Sequence, residues 1–363
     1  MANTTTPTIT FSILSPDASL SYDRIKLRLE EYRTLLASDL DTIELSNENG
    51  KTSICRKQAK QMEEYLDQAE ILLRDIQSHD ISTLVALHHL RNLSRVLDNL
   101  KLYDECSLAG NCALDLAEAL GRRSLEFRHE QAETLALIAE LSVYQPRART
   151  LFIQAVSIYE EVVESNASHS NKTKLLLVLN KAGHCVSDGL GAQWLGRAVQ
   201  LMTKELPPTM VDPSFRSVVY NNYGNSLRHL KQWPDAIEAY HEAISIRRTL
   251  VNNNPAKSDD FLAGTLANMG VALSNLGKYD DAIVAYKEAL EIFTTVSAQD
   301  QLPLSAQKLA QEVIAGFTLC SDVSENARLL NRVDGLVVDC GDTFHRQLAE
   351  EGFFQTLISD EKV

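Results

Sequence analysis

Several short chemical signatures are missing from this sequence. It has no glycine-rich phosphate loop, no His-Glu-x-x-His pair and no Cys/His cluster at metal spacing, so no metal, cofactor or catalytic residue is expected. His184-Cys185 and His88-His89 are sequence neighbours, and neighbours on a helix diverge by about 100°, so neither pair can act as nucleophile and base. The 6 cysteines include no Cys-x-x-Cys and mostly fall at apolar helical positions, which suits reduced, buried thiols in a cytoplasmic protein. Long apolar runs are missing too. The longest aliphatic stretch, Leu175–Leu179, is far below the ~20 residues that span a bilayer, so no membrane insertion is expected. Residues 1–10 carry neither a basic region nor an apolar stretch, so residues 1–20 read as a disordered tail and not as a secretory signal. Basic charge is scarce: 35 Lys+Arg against 49 Asp+Glu give a net charge of −14. That balance argues against nucleic acid and anionic membranes and leaves room for a partner with basic features.

What the sequence does have is a repeat. Small residues recur seven apart in the pairs Cys106/Ala113, Ala148/Ala155, Gly191/Ala198, Ala236/Ala243, Ala282/Ala289 and a degraded Ala327/Asp334. Successive pairs start 42, 43, 45, 46 and 45 residues apart, so one supersecondary unit is copied along the chain. Seven residues make two helical turns, which puts both small side chains on one stripe where another helix can approach closely. The clearest copy is 263–293. Leu266, Met269, Gly270 and Leu273 form one apolar stripe, Ala282, Tyr286, Ala289 and Leu290 form a facing one, and Leu276-Gly277-Lys278 breaks the two helices. A glycine inside a helix costs about 1 kcal/mol relative to alanine, so Gly270 implies a contact too close for a methyl group.

This succession resembles the tetratricopeptide repeat. It reads Leu266, Met269-Gly270, Leu273, Ala282, Tyr286, Ala289 in one copy and Tyr220, Tyr223-Gly224, Leu227, Ala236, Tyr240, Ala243 in the one before. Leu90, Leu93, Leu97, Tyr103, Cys106 and Ala113 give a third copy; Leu135, Ala139, Ala148, Phe152 and Ala155 give a fourth. Around 175–204, Gly191, Leu195 and Ala198 fit the second helix, while Asn180-Lys181-Ala182-Gly183 fits the first only if that hairpin is about one turn short. The long repeat is similar to the kinesin-light-chain type, with the extra residues placed in the loops 165–173, 205–214, 252–260 and 297–304.

The resemblance implies an all-α, right-handed α-α superhelix of about six hairpins over 82–340. An N-terminal helical pair (21–46 and 54–77, within 21–81) precedes it, and a capping helix over 341–363, rich in Phe344, Leu348, Phe353, Phe354 and Leu357, closes it. In the second N-terminal helix Ala59, Met62, Leu66, Ala69, Leu73 and Ile76 make a heptad seam, which either packs on the first repeat or joins two copies as a homodimer.

The resemblance also implies a protein-binding scaffold or adaptor that takes an extended peptide along a concave wall of first helices. The expected contact residues are Asn221, Asn225, Arg228, Asn268 and Asn275, with Arg91, Arg95 and Asn180. An amide donates and accepts, so a row of asparagines can satisfy a peptide backbone; asparagine in a helix can also cap, bond the next helix or face water. Arg91 and Arg95 either receive an acidic peptide side chain or are neutralised by Glu133 and Glu140. The carboxylate-clamp pattern of some such arrays keeps Asn225, Asn268 and Lys308, but Asn221 stands in for one lysine and Val313 for the arginine, so a clamp is not expected. The alternatives are a small-molecule site or unusual enzyme in the groove, or a sensor module of a larger signalling system.

Overall fold

The computed structural model describes residues 16–36, 42–47, 50–55, 59–77, 82–123, 127–142, 147–253 and 260–299. These residues form an all-α repeat fold with one small β-hairpin, and they divide into two compact units, Met1–Ala167 and Ser168–Val363. The degraded repeat at 327–334 and the expected capping helix lie outside the described residues.

Unit 1 begins with α1 (Pro16–Leu36), then the strands β1 (Thr42–Asn47) and β2 (Gly50–Cys55), then α2 (Ala59–Ile76). The helix starts inside the segment expected to be a tail. Proline suits that start because the first helical N–H has no intrahelical partner. The antiparallel strands, in register from Thr42↔Cys55 to Asn47↔Gly50, correct the two long helices expected over 21–46 and 54–77. Ile43 and Ile54 alternate with polar neighbours, and Asn47-Glu48-Asn49-Gly50 is turn-forming, so the local pattern has a period of two and not 3.6.

Met62, Leu66, Ala69, Leu73 and Ile76 of α2 are all buried in one core with Tyr22, Ile25, Leu29 and Tyr32 of α1 and with α3 (Thr83–Asn99) and α4 (Tyr103–Arg123). The heptad seam is therefore used within the unit, and the expected homodimer loses the surface that motivated it. Arg33 fastens the same pair to Asp67 (2.7 Å) and Glu70 (2.9 Å). A second hairpin, α5 (Arg128–Leu141) and α6 (Arg147–Ser165), completes the unit.

Unit 2 holds three hairpins: α7 (His169–Cys185) with α8 (Gly189–Gln200), α9 (Pro213–His229) with α10 (Trp233–Asn253), and α11 (Asp260–Asn275) with α12 (Tyr279–Gln299). Side-chain caps set several starts: Ser168 accepts from Asn171 N–H, Asp188 from Leu190 and Gly191, and Asp212 from Ser214 and Phe215. The second helices account for much of the long repeat. α4, α10 and α12 run 21 residues and α6 runs 19, so the expected loop 165–173 shrinks to 166–168. α8 stops at 12 residues and continues through one π-helical turn, Leu201–Glu205, held by Arg197 and Lys172 on Glu205.

Three first helices end identically. After α3, Lys101 N–H bonds Asp98 C=O and Leu102 N–H bonds Leu97 C=O; after α9 the pairs are Lys231–Arg228 and Gln232–Leu227, and after α11 Gly277–Ser274 and Lys278–Leu273. This double bond pattern needs a left-handed residue, supplied at φ 62° by Lys101, 60° by Lys231 and 79° by Gly277.

The helices of each hairpin touch where a side chain is absent. A Cβ at Gly270 would lie 2.6 Å from the Tyr286 ring, and one at Gly224 would lie 2.6 Å from the Tyr240 ring. In α7–α8 the device is reciprocal: a Cβ on Gly183 would meet Leu195 at 2.4 Å, and one on Gly191 would meet the Val186 carbonyl at 1.7 Å. Gly183 thus takes the place that Gly224 and Gly270 hold, and the hairpin shortens at Val186–Asp188, the one-turn-short alternative.

Gly270→Ala should destabilise unit 2 by about 1–3 kcal/mol despite alanine's better helix propensity, because the Tyr286 ring must move. Lys231→Gly should stabilise it by about 1 kcal/mol by removing the left-handed penalty. Urea midpoints of both variants check the pair; opposite signs are expected.

Candidate functional site

The sequence-predicted residues fall into two sets, one in each unit. In unit 2 the first helices lie side by side and their asparagines face one another. Asn222 Nδ2 donates to Asn180 Oδ1 at 3.1 Å, linking α9 to α7, and Asn268 Nδ2 reaches Asn221 Oδ1 at 3.5 Å, linking α11 to α9. All four are buried. Asn225 accepts from the Tyr240 hydroxyl at 2.8 Å, also buried, and Asn275 Nδ2 donates to its own helix at the Val271 carbonyl, 2.9 Å. Arg228 is buried in the last turn of α9.

The expectation that these amides stand clear of the packing is therefore corrected for Asn180, Asn221, Asn225 and Asn268. Asn180, Asn221 and Asn268 join first helices, which approach closely enough for short amide side chains to span the gap, and Asn225 ties α9 to α10. Half of the ladder's capacity is unused: Asn180 Nδ2, Asn221 Nδ2, Asn222 Oδ1 and Asn268 Oδ1 are buried without a hydrogen-bond partner. Arg247 of α10 closes the same layer, donating from Nε to Ser217 Oγ (2.5 Å) and stacking 4.1 Å over Phe261. Arg247 belongs to the run Ile-Arg-Arg-Thr-Leu at 246–250, a mark of the extended repeat, and stands one turn after the Ala243 marker.

In unit 1 the polar face is built around Glu130 of α5. Arg91 of α3 is buried and pairs with Glu130 at 2.8 Å and with Glu133. His88 Nε2 lies 3.2 Å from Glu130 Oε2, and His129 Nε2 lies 3.2 Å from Oε1. Burial pushes the Glu130 carboxyl up, but hydrogen bonds from His129 and His88 and the Arg91 charge outweigh it and hold the group well below the usual carboxylate range. Of the two fates expected for Arg91, internal neutralisation is the one found, and Glu130 does more of it than Glu140. Glu130 follows Arg91 by 39 residues, short of the 42–46-residue repeat step, so superposing the repeats would not have paired them. Arg95 stays exposed, with Asn92 Oδ1 3.2 Å from its guanidinium.

Burial pushes the Cys106 thiol up to about 12 and the Cys112 thiol up to about 11, which removes both as nucleophiles near neutral pH. Among the described residues no group of three or more His, Cys, Asp or Glu converges to hold a metal ion, and no helix is long and apolar enough to cross a membrane.

Residues 215–295 match the sequence profile of the tetratricopeptide repeat family. The matched segment, which spans α9 to α12, carries tetratricopeptide repeats. No curated protein matches the chain. Among solved structures it is similar to BtubC (BKLC) from P. vanneervenii, at 15% identity and TM-score 0.50, covering 67% of this chain and 94% of that one. A further similar structure is residues 1–338 of Acl4, the assembly chaperone of RpL4, at 14% identity and TM-score 0.44, covering 73% of this chain and 99% of that one. At such identity the first likeness speaks for the fold alone.

The folded Glu130 carboxyl ionises at lower pH than the unfolded one. Its contribution is therefore complete above the ordinary carboxylate range and drains away as pH falls below about 4. Glu130→Gln should cost stability at pH 7, and the gap to the parent should narrow towards pH 3. Denaturant melts of both proteins across that range check it; a gap independent of pH contradicts the assignment.

Proposed function

We propose that this chain is a non-catalytic scaffold or adaptor of the cytoplasm that binds an extended polypeptide through the first-helix faces of its hairpins. The observation that carries this reading is the exposed stripe Val85, His88, Asn92 and Arg95 on α3. The residues are spaced by three, four and three, so they share one helix face, and all four are exposed. The opposite stripe, Leu87, Leu90 and Leu97, is buried in the core. A face that carries a cation, an imidazole, an amide and one aliphatic group beside the half-buried Glu133 and Glu140 can satisfy a peptide backbone and select a charged side chain.

In unit 2 the corresponding set is Asn221, Asn225, Arg228, Asn268 and Asn275, with Asn180. Its unused amide atoms supply donors and acceptors of the same kind, but only to a segment that enters the layer. A partner with basic features suits the net charge of −14, while Arg95 favours an acidic residue at one point of it. Buried thiols at Cys106 and Cys112 are compatible with a reducing compartment.

The test is the double substitution Asn92→Ala with Arg95→Glu, measured for affinity to partners captured on the parent chain and for melting temperature. Loss of about 1–3 kcal/mol of binding, roughly five- to 150-fold, with unchanged melting is expected. Unchanged affinity overturns the assignment of the α3 face.

A further inference from the structure

Two asparagine side chains that meet across a helix seam can bond each other twice, each amide donating once and accepting once. Neither pair of unit 2 does so. Between α7 and α9 only Asn222 Nδ2 donates, to Asn180 Oδ1 at 3.1 Å, and between α9 and α11 only Asn268 Nδ2 donates, to Asn221 Oδ1 at 3.5 Å. The reciprocal bond is unmade in both, so the free ends of the two amides stand apart. Asn180 Nδ2 faces this gap with Asn222 Oδ1, and Asn221 Nδ2 with Asn268 Oδ1; none of the four atoms has a hydrogen-bond partner among the described residues. All four side chains are at most 1% exposed.

The two seams repeat one polarity. In each, the earlier helix holds the unpaired donor and the later helix the unpaired acceptor, so the arrangement belongs to the repeat and not to one contact. A buried amide group without a partner carries the full cost of its desolvation, and native interiors supply one. The pairs restrict what it can be. A cation would use the acceptor alone, an anion the donor alone, and an apolar group neither. What fits is neutral, accepts one hydrogen bond, donates another and is small enough to sit between two side chains in contact. In the first seam Ser226, one turn after Asn222 on the same face of α9, adds a buried hydroxyl that also has no partner.

We propose that each amide pair binds one water molecule. In the first seam it accepts from Asn180 Nδ2 and donates to Asn222 Oδ1; in the second it accepts from Asn221 Nδ2 and donates to Asn268 Oδ1. Ser226 Oγ gives the first water a third bond, and about three is the usual number for water inside a protein. Successive first helices are then joined twice, directly through one amide bond and again through a bridging water that is nearly as good a link. A polypeptide segment that enters the layer has to displace these waters with its own peptide groups, each of which offers the same acceptor and donor. The proposal does not rest on the α3 face binding a partner.

The test is the oxygen-17 relaxation dispersion of water in solutions of the full chain, whose amplitude counts water molecules held longer than the protein takes to tumble. The double variant Asn180→Leu with Asn222→Leu keeps the side-chain volume and removes both polar groups, and should lower the count by one. Asn221→Leu with Asn268→Leu should lower it by one as well, and all four substitutions together by two. An amplitude equal to the parent's in either double variant overturns the proposal. A second measurement needs no substitution: in the parent labelled with nitrogen-15 asparagine, the side-chain amide protons of Asn180 and Asn221 should show cross-relaxation with water of the sign given by a long-lived contact. Its absence overturns the proposal however the variants fold.

Discussion

The whole arrangement depends on how closely two helices of a hairpin can approach. A tyrosine ring seated on a glycine, Tyr240 on Gly224 and Tyr286 on Gly270, brings the α9–α10 and α11–α12 axes nearer than any side chain at the glycine would permit. Ala236 and Ala243, then Ala282 and Ala289, hold the same stripe clear on the second helix, and all four are buried. With each hairpin this thin, the following first helix lies close beside the one before. That proximity puts a polar residue of one first helix within hydrogen-bonding reach of the next, and so turns part of a polar wall into a buried layer. Where a leucine replaces the tyrosine, as with Leu195 on Gly183, and Gly191 lies against Val186, the connection shortens and the second helix ends early in a π-helical turn.

The same geometry explains why the two units treat polar residues differently. In unit 1 the link between first helices is ionic, with Arg91 on Glu130 and Glu133, and two histidines complete the carboxylate's shell. A buried charge requires such partners, since an unpaired one costs several kcal/mol. In unit 2 the link is neutral: Asn180 with Asn222, and Asn221 with Asn268. Neutral amides can be left half satisfied at lower cost, and this is what the buried, unpartnered Asn180 Nδ2 and Asn268 Oδ1 show.

Much of the fold was legible in the sequence because the small-residue pairs and the Gly–Tyr spacing are direct imprints of helix contact. Gly277 announced its left-handed turn; Lys101 and Lys231 adopt the same conformation but carry no such mark, so their turns were visible only by analogy. The strands at 42–55 were missed because two short alternating runs sit between strong helical patterns. The site was less legible. Helical spacing says which residues share a face, but a face toward a groove and a face toward the next first helix lie only one residue apart on the helix. Asn221 and Asn222 are neighbours in sequence, yet one bonds forward to α11 and the other back to α7. Nothing in the sequence distinguishes an amide for a ligand from an amide for a neighbouring helix.

The central claim is that the asparagines of unit 2 couple successive first helices. The most direct test is a double-mutant cycle on Asn180→Ala and Asn222→Ala, read by chemical denaturation of the full chain. A coupling energy of about 0.5–1.5 kcal/mol is predicted, since each single variant already breaks the one hydrogen bond between them. Strict additivity of the two substitutions would contradict the account and return these amides to the open wall.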